Sequence, residues 1–341
     1  MVGTIPALSF PIPAPPAPGT TVEVLPGIHW LSTSLPFRPH TTNLWLVHDR
    51  QGWTMVDCGL PLRVVREQIE AAWSTLLGGM PITRLIMTHH HPDHIGNCGW
   101  ICERWKIVPT LTKGEYELTG SMLRAHWSDE CIAFYQRHGL PESVATEFTE
   151  RWKRHHKRCS PLPDYWQPIE DGDLIRMGDS DWQVIVARGH SPEQAVLYSR
   201  QHKALLAADQ ILPKTTSNVS LLEDNPSANP LASFLESNRR IAQICDEDAL
   251  VLPSHNTPFR GLHSRIKHLE RLRHERLATL EGELKRTPQT AADLVPSLFG
   301  GLYNDQVGFA LGEVIAHLQY LVQQGRVKSI ARDGRVVFGC V

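Results

Sequence analysis

Apolar, β-branched runs separated by Pro, Gly or polar turns open the ordered part of the chain. TVEVL, IHWLST, NLWLVH and WTMVDCG, within residues 21–59, read as consecutive strands. The period then changes: in PLRVVREQIEAAWSTLL the residues Val64, Val65, Ile69, Ala72, Trp73 and Leu76 recur at helical spacing. RLIMT is a short buried-strand run. A helical, aromatic and locally basic region follows and is expected to form a helical insert at about 105–167. Strands resume at DLIRMG, WQVIVARGH and KALLAADQ, and a helix around PLASFLESNRRIAQIC precedes the strand ALVLPSH. Strands alternating with helices in this way predict a layered α/β core.

The C-terminal stretch has its own pattern. From Leu262 a long helix is expected, then TPQTAADLVPSLFG, a helix that Thr287 caps and Pro288 opens. A third helix puts Val307, Leu311, Val314, Leu318 and Leu321 on one face and stops near Gly325. RVKSIARDGRVVFGC reads as two strands joined at Asp333-Gly334. Helix, helix, helix, hairpin is a winged-helix order, so the expected division is a main domain over 1–261 and a winged-helix-like domain over 262–341. Winged helices often bind DNA, but Glu281, Glu283, Asp293, Asp305 and Glu313 dilute the charge of this one, which favours a packing role.

Composition narrows the class of protein. A chain of 341 residues with 41% hydrophobic and 21% charged residues and a formal net charge of -2 is an ordinary globular protein, neither a disordered chain nor a polycation made for nucleic acid. Its seven cysteines are odd in number and scattered, and read as reduced thiols of a cytoplasmic protein. The pair Cys98 and Cys102, four apart, reads as core. Prolines interrupt the N-terminal segment MVGTIPALSFPIPAPPAPG, which reads as an extended arm rather than a leader. No run approaches a transmembrane helix, so no membrane partner is expected. The same reading leaves room for a homodimer.

The candidate chemistry lies at strand ends. In RLIMTHHHPDHIGN, residues 84–97, the side chains of His89, His91, Asp93 and His94 suit a turn on which several converge. Three more apolar runs end on potential ligands: WQVIVARG on His190, KALLAA on Asp209 and ALVLPS on His255. Strand ends lie along one edge of a sheet, so residues distant in sequence can meet there. Neutral imidazoles and carboxylates suit Zn2+, Fe2+ or Mn2+, and a carboxylate can bridge two such ions. Two cations about 3.5–4 Å apart can hold a bridging hydroxide at neutral pH and polarise the group it attacks, which is a hydrolase's equipment. His90 is expected to point away from the ions, and His155 and His156 to be solvated.

HHHPDH resembles the HxHxDH signature of the metallo-β-lactamase-fold hydrolases. Asp57 in MVDCG, His190 in ARGHSPEQ, Asp209 in LLAADQ and His255 in LPSHNTPFRG complete that series in order. The resemblance implies an αββα sandwich, here with a helical insert and a C-terminal winged-helix-like domain. It implies that His89, His91 and His190 hold one divalent ion, with Zn2+ first in expectation, and that Asp93, His94 and His255 hold a second. Asp209 would bridge the two, and Asp57 would orient ligands. Many relatives have Gly after the Pro of GHSPG, whereas Glu193 stands here, which is expected to reshape the loop without disturbing His190.

Asp209 at the bridging position resembles hydroxyacylglutathione hydrolases, lactonases and nucleases of this fold rather than the zinc β-lactamases, many of which carry Cys there. The C-terminal part resembles β-lactamase-like proteins with a C-terminal winged helix, a group with thioesterase-like and nuclease members. The reading favoured is hydrolysis of a small-molecule acyl thioester or activated ester, with Asp93 and Asp209 positioning the hydroxide. The rivals are a phosphodiesterase or ribonuclease, a lactonase, and a non-enzymatic ligand sensor. Trp127, Phe134, Tyr135 and Tyr165 of the insert are candidates to select the acyl group, with core packing an equal contender for each, and Phe37 is a candidate to line the same mouth. RWKRHHKR reads first as a solvated helix face; the alternative is that Arg154 and Arg158 hold the phosphates of a coenzyme A-like carrier, since Arg grips phosphate oxygens in pairs.

Overall fold

The computed structural model describes residues 8–124, 129–221, 225–300 and 306–341, without the side chains of residues 123, 124, 155 and 156. Trp127, Asp305 and the side chains of His155 and His156 therefore lie outside the described residues. Two sheets form the centre. The first has seven strands side by side in chain order: β1 (Thr21–Leu25), β2 (Ile28–Ser34), β3 (Thr41–Asp49), β4 (Gly52–Val56), β5 (Ile82–Ile86), β6 (Pro109–Leu111) and β7 (Gln167–Pro168). The second comprises β8 (Leu174–Met177), β9 (Ser180–Ala187), β10 (Gln194–Ser199), β11 (Ala204–Ala208) and β12 (Leu250–Pro253), in the order β12-β11-β10-β9-β8. Strand β10 was not anticipated: it follows so closely on the His190 motif that its run AVLYS had no turn signal to set it apart.

Period-two alternation explains why the sheets stack. On β2 and β3, Trp30, Trp45 and Val47 face inward and pack with Trp182, Val184, Leu197 and Leu206 of the second sheet. The alternate residues Leu31, Leu44 and Leu46 face outward and are covered by Val65, Ile69 and Ala72 of α1 (Arg63–Leu76) and Ile101 of α3 (Cys98–Trp105). Between them lies the single-turn α2 (Pro92–Ile95). On the far side, Ile185, Leu205 and Val251 pack under Ile241 of α7 (Pro230–Ile244) and Leu262, Ile266 and Leu269 of α8 (Leu262–Leu284). The layers are helix, sheet, sheet, helix. Cys98 and Cys102 are buried in the first of these layers, in keeping with a core role.

The insert is narrower than its sequence signal, because β6 and β7 join the first sheet and leave α4 (Lys113–Arg124), α5 (Asp129–Arg137) and α6 (Glu142–His156) between them. The C-terminal segment adds β13 (Gln289–Thr290), α9 (Ala291–Phe299), α10 (Val307–Gln323), β14 (Val327–Arg332) and β15 (Arg335–Cys340). The expected hairpin is present, with Asp333 and Gly334 both at positive φ. The expected cap is corrected: Thr290, not Thr287, caps α9, because Asp293 stands three residues on and closes a capping box.

Insert and C-terminal segment share one core. Phe134, Tyr135 and Phe148 of the insert pack with Leu280 of α8, Leu294 of α9 and Leu311 and Val314 of α10. Helix α8 thus enters two cores, its first half under the second sheet and its second half here. Gly308 lets α10 come close to α6: a Cβ added there would lie 2.4 Å from the Phe148 ring. Gly308→Ala is expected to destabilise the fold by about 1–3 kcal/mol through overpacking. Urea unfolding measures it, and an unchanged midpoint and slope would show that the ring simply moves aside. Among the described residues no helix is long and apolar enough to cross a membrane.

Candidate metal centre

The strand ends converge as the sheet geometry requires. β4 and β5 are parallel, as are β11 and β12, and β9 lies two antiparallel steps from β11, so all five deliver their C-terminal ends to one edge. There His89, His91, His190 and Asp209 form one group of possible ligands and Asp93, His94 and His255 another, with the ligand atoms of each group all within 4.8 Å of one another.

Hydrogen bonds at the back of the rings decide which nitrogens face inward. Asp57, in the left-handed region at φ 61, accepts from Thr88 N at 2.8 Å and from Thr88 Oγ1 at 2.9 Å. The hydroxyl's single hydrogen is then spent, so His89 Nδ1–H donates to Thr88 Oγ1 at 2.9 Å and Nε2 keeps its lone pair. By the same logic His94 Nδ1 donates to Asp57 Oδ2 at 2.8 Å, His190 Nδ1 to the Asn218 carbonyl at 2.8 Å, and His255 Nδ1 to the Thr41 carbonyl at 3.0 Å. The His255 loop is itself pinned to the first sheet by Asn43 Nδ2, which donates to the carbonyls of Pro253 and Asn256.

The inner face fits a cation better than it fits itself. His89 Nε2 lies 3.3 Å from His190 Nε2, and because both rings donate outward from Nδ1 this sets two lone pairs against one another unless something electrophilic stands between them; His91 Nδ1 lies 2.9 Å from the same His89 Nε2. His94 Nε2 and Asp209 Oδ1 are buried with no hydrogen-bond partner among the described residues. Burial, and after it the surrounding imidazoles, holds His89 and His91 well below the usual imidazole range, so both are neutral bases. Burial opposes charge on Asp209 as well, but His255 and His94 outweigh it and keep the carboxyl ionised. Asp209 touches both groups: Oδ2 is 3.5 Å from His190 Nε2 and 3.7 Å from His94 Nε2, while Oδ1 is 3.4 Å from His255 Nε2. Asp93 Oδ2 stands 3.4 Å from His255 Nε2 and 3.6 Å from His94 Nε2. Against their burial, Asp93 and Asp209 favour positive charge at His94 and His255, and imidazole nitrogens mixed with anionic oxygens in this way suit divalent transition metals.

One supporting residue escaped sequence reasoning. Glu115, fully buried in the first turn of α4, accepts from His90 N at 2.9 Å, Ser191 Oγ at 2.7 Å and Glu193 N at 2.8 Å, and meets His90 Nδ1 at 2.8 Å. It ties the loop carrying His89 and His91 to the loop carrying His190, and it turns His90 away from the ligands, as expected. Glu193 reciprocates: its carboxylate accepts from Gly114 N at 2.8 Å, an otherwise orphaned donor at the start of α4. That is how the loop accommodates the Glu193 side chain.

A cavity of about 480 Å³ opens over the ligands. Phe37 lines it, as do Arg151, Phe148 and Trp152 of α6 and Phe299 and Phe309 of the C-terminal segment. The Phe309 ring meets Trp152 and Phe148 edge-on, at 5.0 and 5.6 Å between centroids. Other expected contacts are not brought here. Tyr165 is 81% exposed and outside this wall, and Phe134 and Tyr135 are core residues. Arg154 and Arg158 are exposed and also outside the wall, Arg158 beyond the last turn of α6; Arg151 is the basic residue of that helix in the lining.

An αββα sandwich with clustered His and Asp side chains at one edge defines a metallo-hydrolase class. Residues 37–278 match the metallo-beta-lactamase superfamily and residues 277–340 the metallo-beta-lactamase-like C-terminal domain. The chain belongs to the metallo-beta-lactamase superfamily. It is similar to the crystal structure of a beta-lactamase domain protein from Burkholderia ambifaria, at 35% identity and a TM-score of 0.91 over 98% of both chains. Among curated proteins it resembles the probable metallo-hydrolase YqjP of Bacillus subtilis, 24% identical over 84% of this chain and 89% of that one. It also resembles the acyl-coenzyme A thioesterase MBLAC2 of Gallus gallus, 26% identical over 68% of this chain and 79% of that one.

Proposed function

We propose that this chain is a cytoplasmic dinuclear metal hydrolase of acyl thioesters or similarly activated acyl esters. The observation that carries the reading is the cavity: its aromatic and aliphatic wall, including Phe37, Phe148, Trp152, Phe299 and Phe309, begins at the ligand cluster. An apolar acyl chain gains by leaving water for such a wall. A phosphodiester backbone would find few cationic partners there. The relative named as an acyl-coenzyme A thioesterase supports the same choice.

His89, His91 and His190 would hold one divalent ion, Asp93, His94 and His255 the other, and Asp209 both, with Zn2+ the first expectation and Fe2+ or Mn2+ the alternatives. When bound, the ions supply Lewis acidity toward the carbonyl and an acidified water at neutral pH. The chain's own groups do the rest. Asp57 and the carbonyls of Thr41 and Asn218 hold the rings in the tautomer that faces inward. Asp93 and Asp209 accept hydrogen bonds from the attacking water and orient it. The aromatic wall fixes the acyl chain and excludes solvent. The polar carrier leaves past Arg38 and Arg151, both in the lining, rather than past Arg154 and Arg158.

A screen of the metal-reconstituted protein against acyl-CoA, acyl-glutathione, lactone and phosphodiester substrates tests this reading. Turnover of thioesters is expected to exceed that of phosphodiesters. Activity on a generic phosphodiester with none on thioesters would select the nuclease reading. Lactone turnover alone would select a lactonase, and full metal occupancy without turnover of any substrate would select the sensor.

A further inference from the structure

The loop that follows Asp209 runs from the sheet edge to the C-terminal helices, and those helices grip it along its length. Arg265 of α8, only 2% exposed, has no carboxylate partner among the described residues; it donates from Nε to the Leu212 carbonyl and from Nη2 to the Thr215 carbonyl, both at 2.7 Å. Arg273, two turns further along and fully buried, donates from Nη2 to the Ser217 carbonyl and from Nη1 to Glu313 of α10. Arg276 also donates to Glu313. The other Glu313 oxygen accepts from Asn218 Nδ2 at 3.4 Å, and the same Nδ2 reaches the Phe309 carbonyl at 3.3 Å. Leu221 N donates to the Gly312 carbonyl at 3.1 Å. A buried Arg265 that donates to main-chain carbonyls, and a buried Arg273–Glu313 pair that turns its remaining donor and oxygen to the same loop, are costly arrangements for a segment that serves only as packing.

What the grip holds is the back of a ligand. The Asn218 carbonyl accepts His190 Nδ1–H at 2.8 Å, and Ser217 Oγ donates to the Asp209 carbonyl. A ligating imidazole needs its other nitrogen tied to keep its tautomer and ring angle, and losing such a partner typically costs about 10–100-fold in metal affinity or activity. A carbonyl on an irregular loop serves that purpose only if its peptide is held. We infer that Asn218, braced by Glu313 and Arg273, is a positioning residue for His190, so that the C-terminal helices set the cation affinity of the His89, His91 and His190 group. This rests on the metal reading above.

Asn218→Ala keeps the carbonyl and removes the brace. Asn218→Asp keeps the shape but turns the donor into a second carboxylate facing Glu313. Zn2+ affinity by chelator competition, and the visible absorption of the Co2+-loaded protein, are read for both variants and the parent chain, beside thermal unfolding of the metal-free forms. The parent is expected to bind two ions; each variant should lose about 10–100-fold at one site, with altered Co2+ bands, and keep the other. Metal-free unfolding of the Ala variant should stay close to that of the parent, whereas the Asp variant, with two carboxylates facing, should melt lower. Unchanged affinity at both sites, or equal weakening of both, would overturn the inference while leaving the metal reading intact. A parent chain that binds neither Zn2+ nor Co2+ would overturn both. An Asp variant that matches the parent while the Ala variant does not would reduce Asn218 to a space-filling residue and overturn the brace.

Discussion

Asp209→Asn is expected to lower turnover by about 10²-fold or more, the scale seen when a preorganised electrostatic group is removed from a site. The substitution keeps the side chain's size. It replaces an anionic oxygen, placed between the Nε2 atoms of His190, His94 and His255, by a neutral amide whose NH2 has no lone pair to offer. Both ligand groups lose their common member, and the second ion is expected to be weakened with it. Steady-state kinetics on whichever substrate the parent hydrolyses, with elemental analysis of the same preparation, decides the matter. A variant with the parent's activity and metal content would make Asp209 an ordinary strand-end residue.

Glu115→Ala is expected to cost about 3–5 kcal/mol of folding free energy, as removal of one partner from a buried pair does. Burial alone would raise the Glu115 carboxyl, but His90 and the donors Ser191 and Glu193 outweigh it and hold it below the usual range. Without the carboxylate, the amides of His90 and Glu193 and the Ser191 hydroxyl are left inside with no acceptor. Urea unfolding of the metal-free chain is the measurement. A loss under about 0.5 kcal/mol, the size of an ordinary surface substitution, would show that water takes over the acceptor's place. Because those donors flank His89, His91 and His190, weaker cation binding should accompany the instability.

Much of the clustering was legible because the candidate ligands sit where strands end. A run such as KALLAA has period and length enough to be read alone, and parallel pairing then brings Asp209 and His255 to one edge. Glu115 had no such signal. An acidic residue in a helix's first turn is ordinary dipole compensation, and its partners Ser191 and Glu193 lie more than seventy positions away in sequence. The choice between core and cavity was left open for the insert's aromatics for a related reason. Phe134, Phe148 and Trp152 carry the same kind of helical aromatic spacing; only the approach of α10, allowed by Gly308, decides which rings face the cavity and which enter the core. The misplaced cap shows a nearer competition: in TPQTAAD two threonines could serve, and the one with Asp three residues on prevailed.

The long helix α8 carries a thermodynamic consequence. The boundary between the two matched families falls at residues 277–278, inside a helix whose Leu262, Ile266 and Leu269 belong to one core and whose Leu277, Leu280 and Leu284 belong to another. Melting either core frays a rod that the other needs, so the two cores are coupled through their shared backbone hydrogen bonds. The two cores are therefore expected to melt together, with transitions that coincide when followed by different probes. The boundary records where one kind of sequence gives way to another, and the molecule has no seam there along which to come apart.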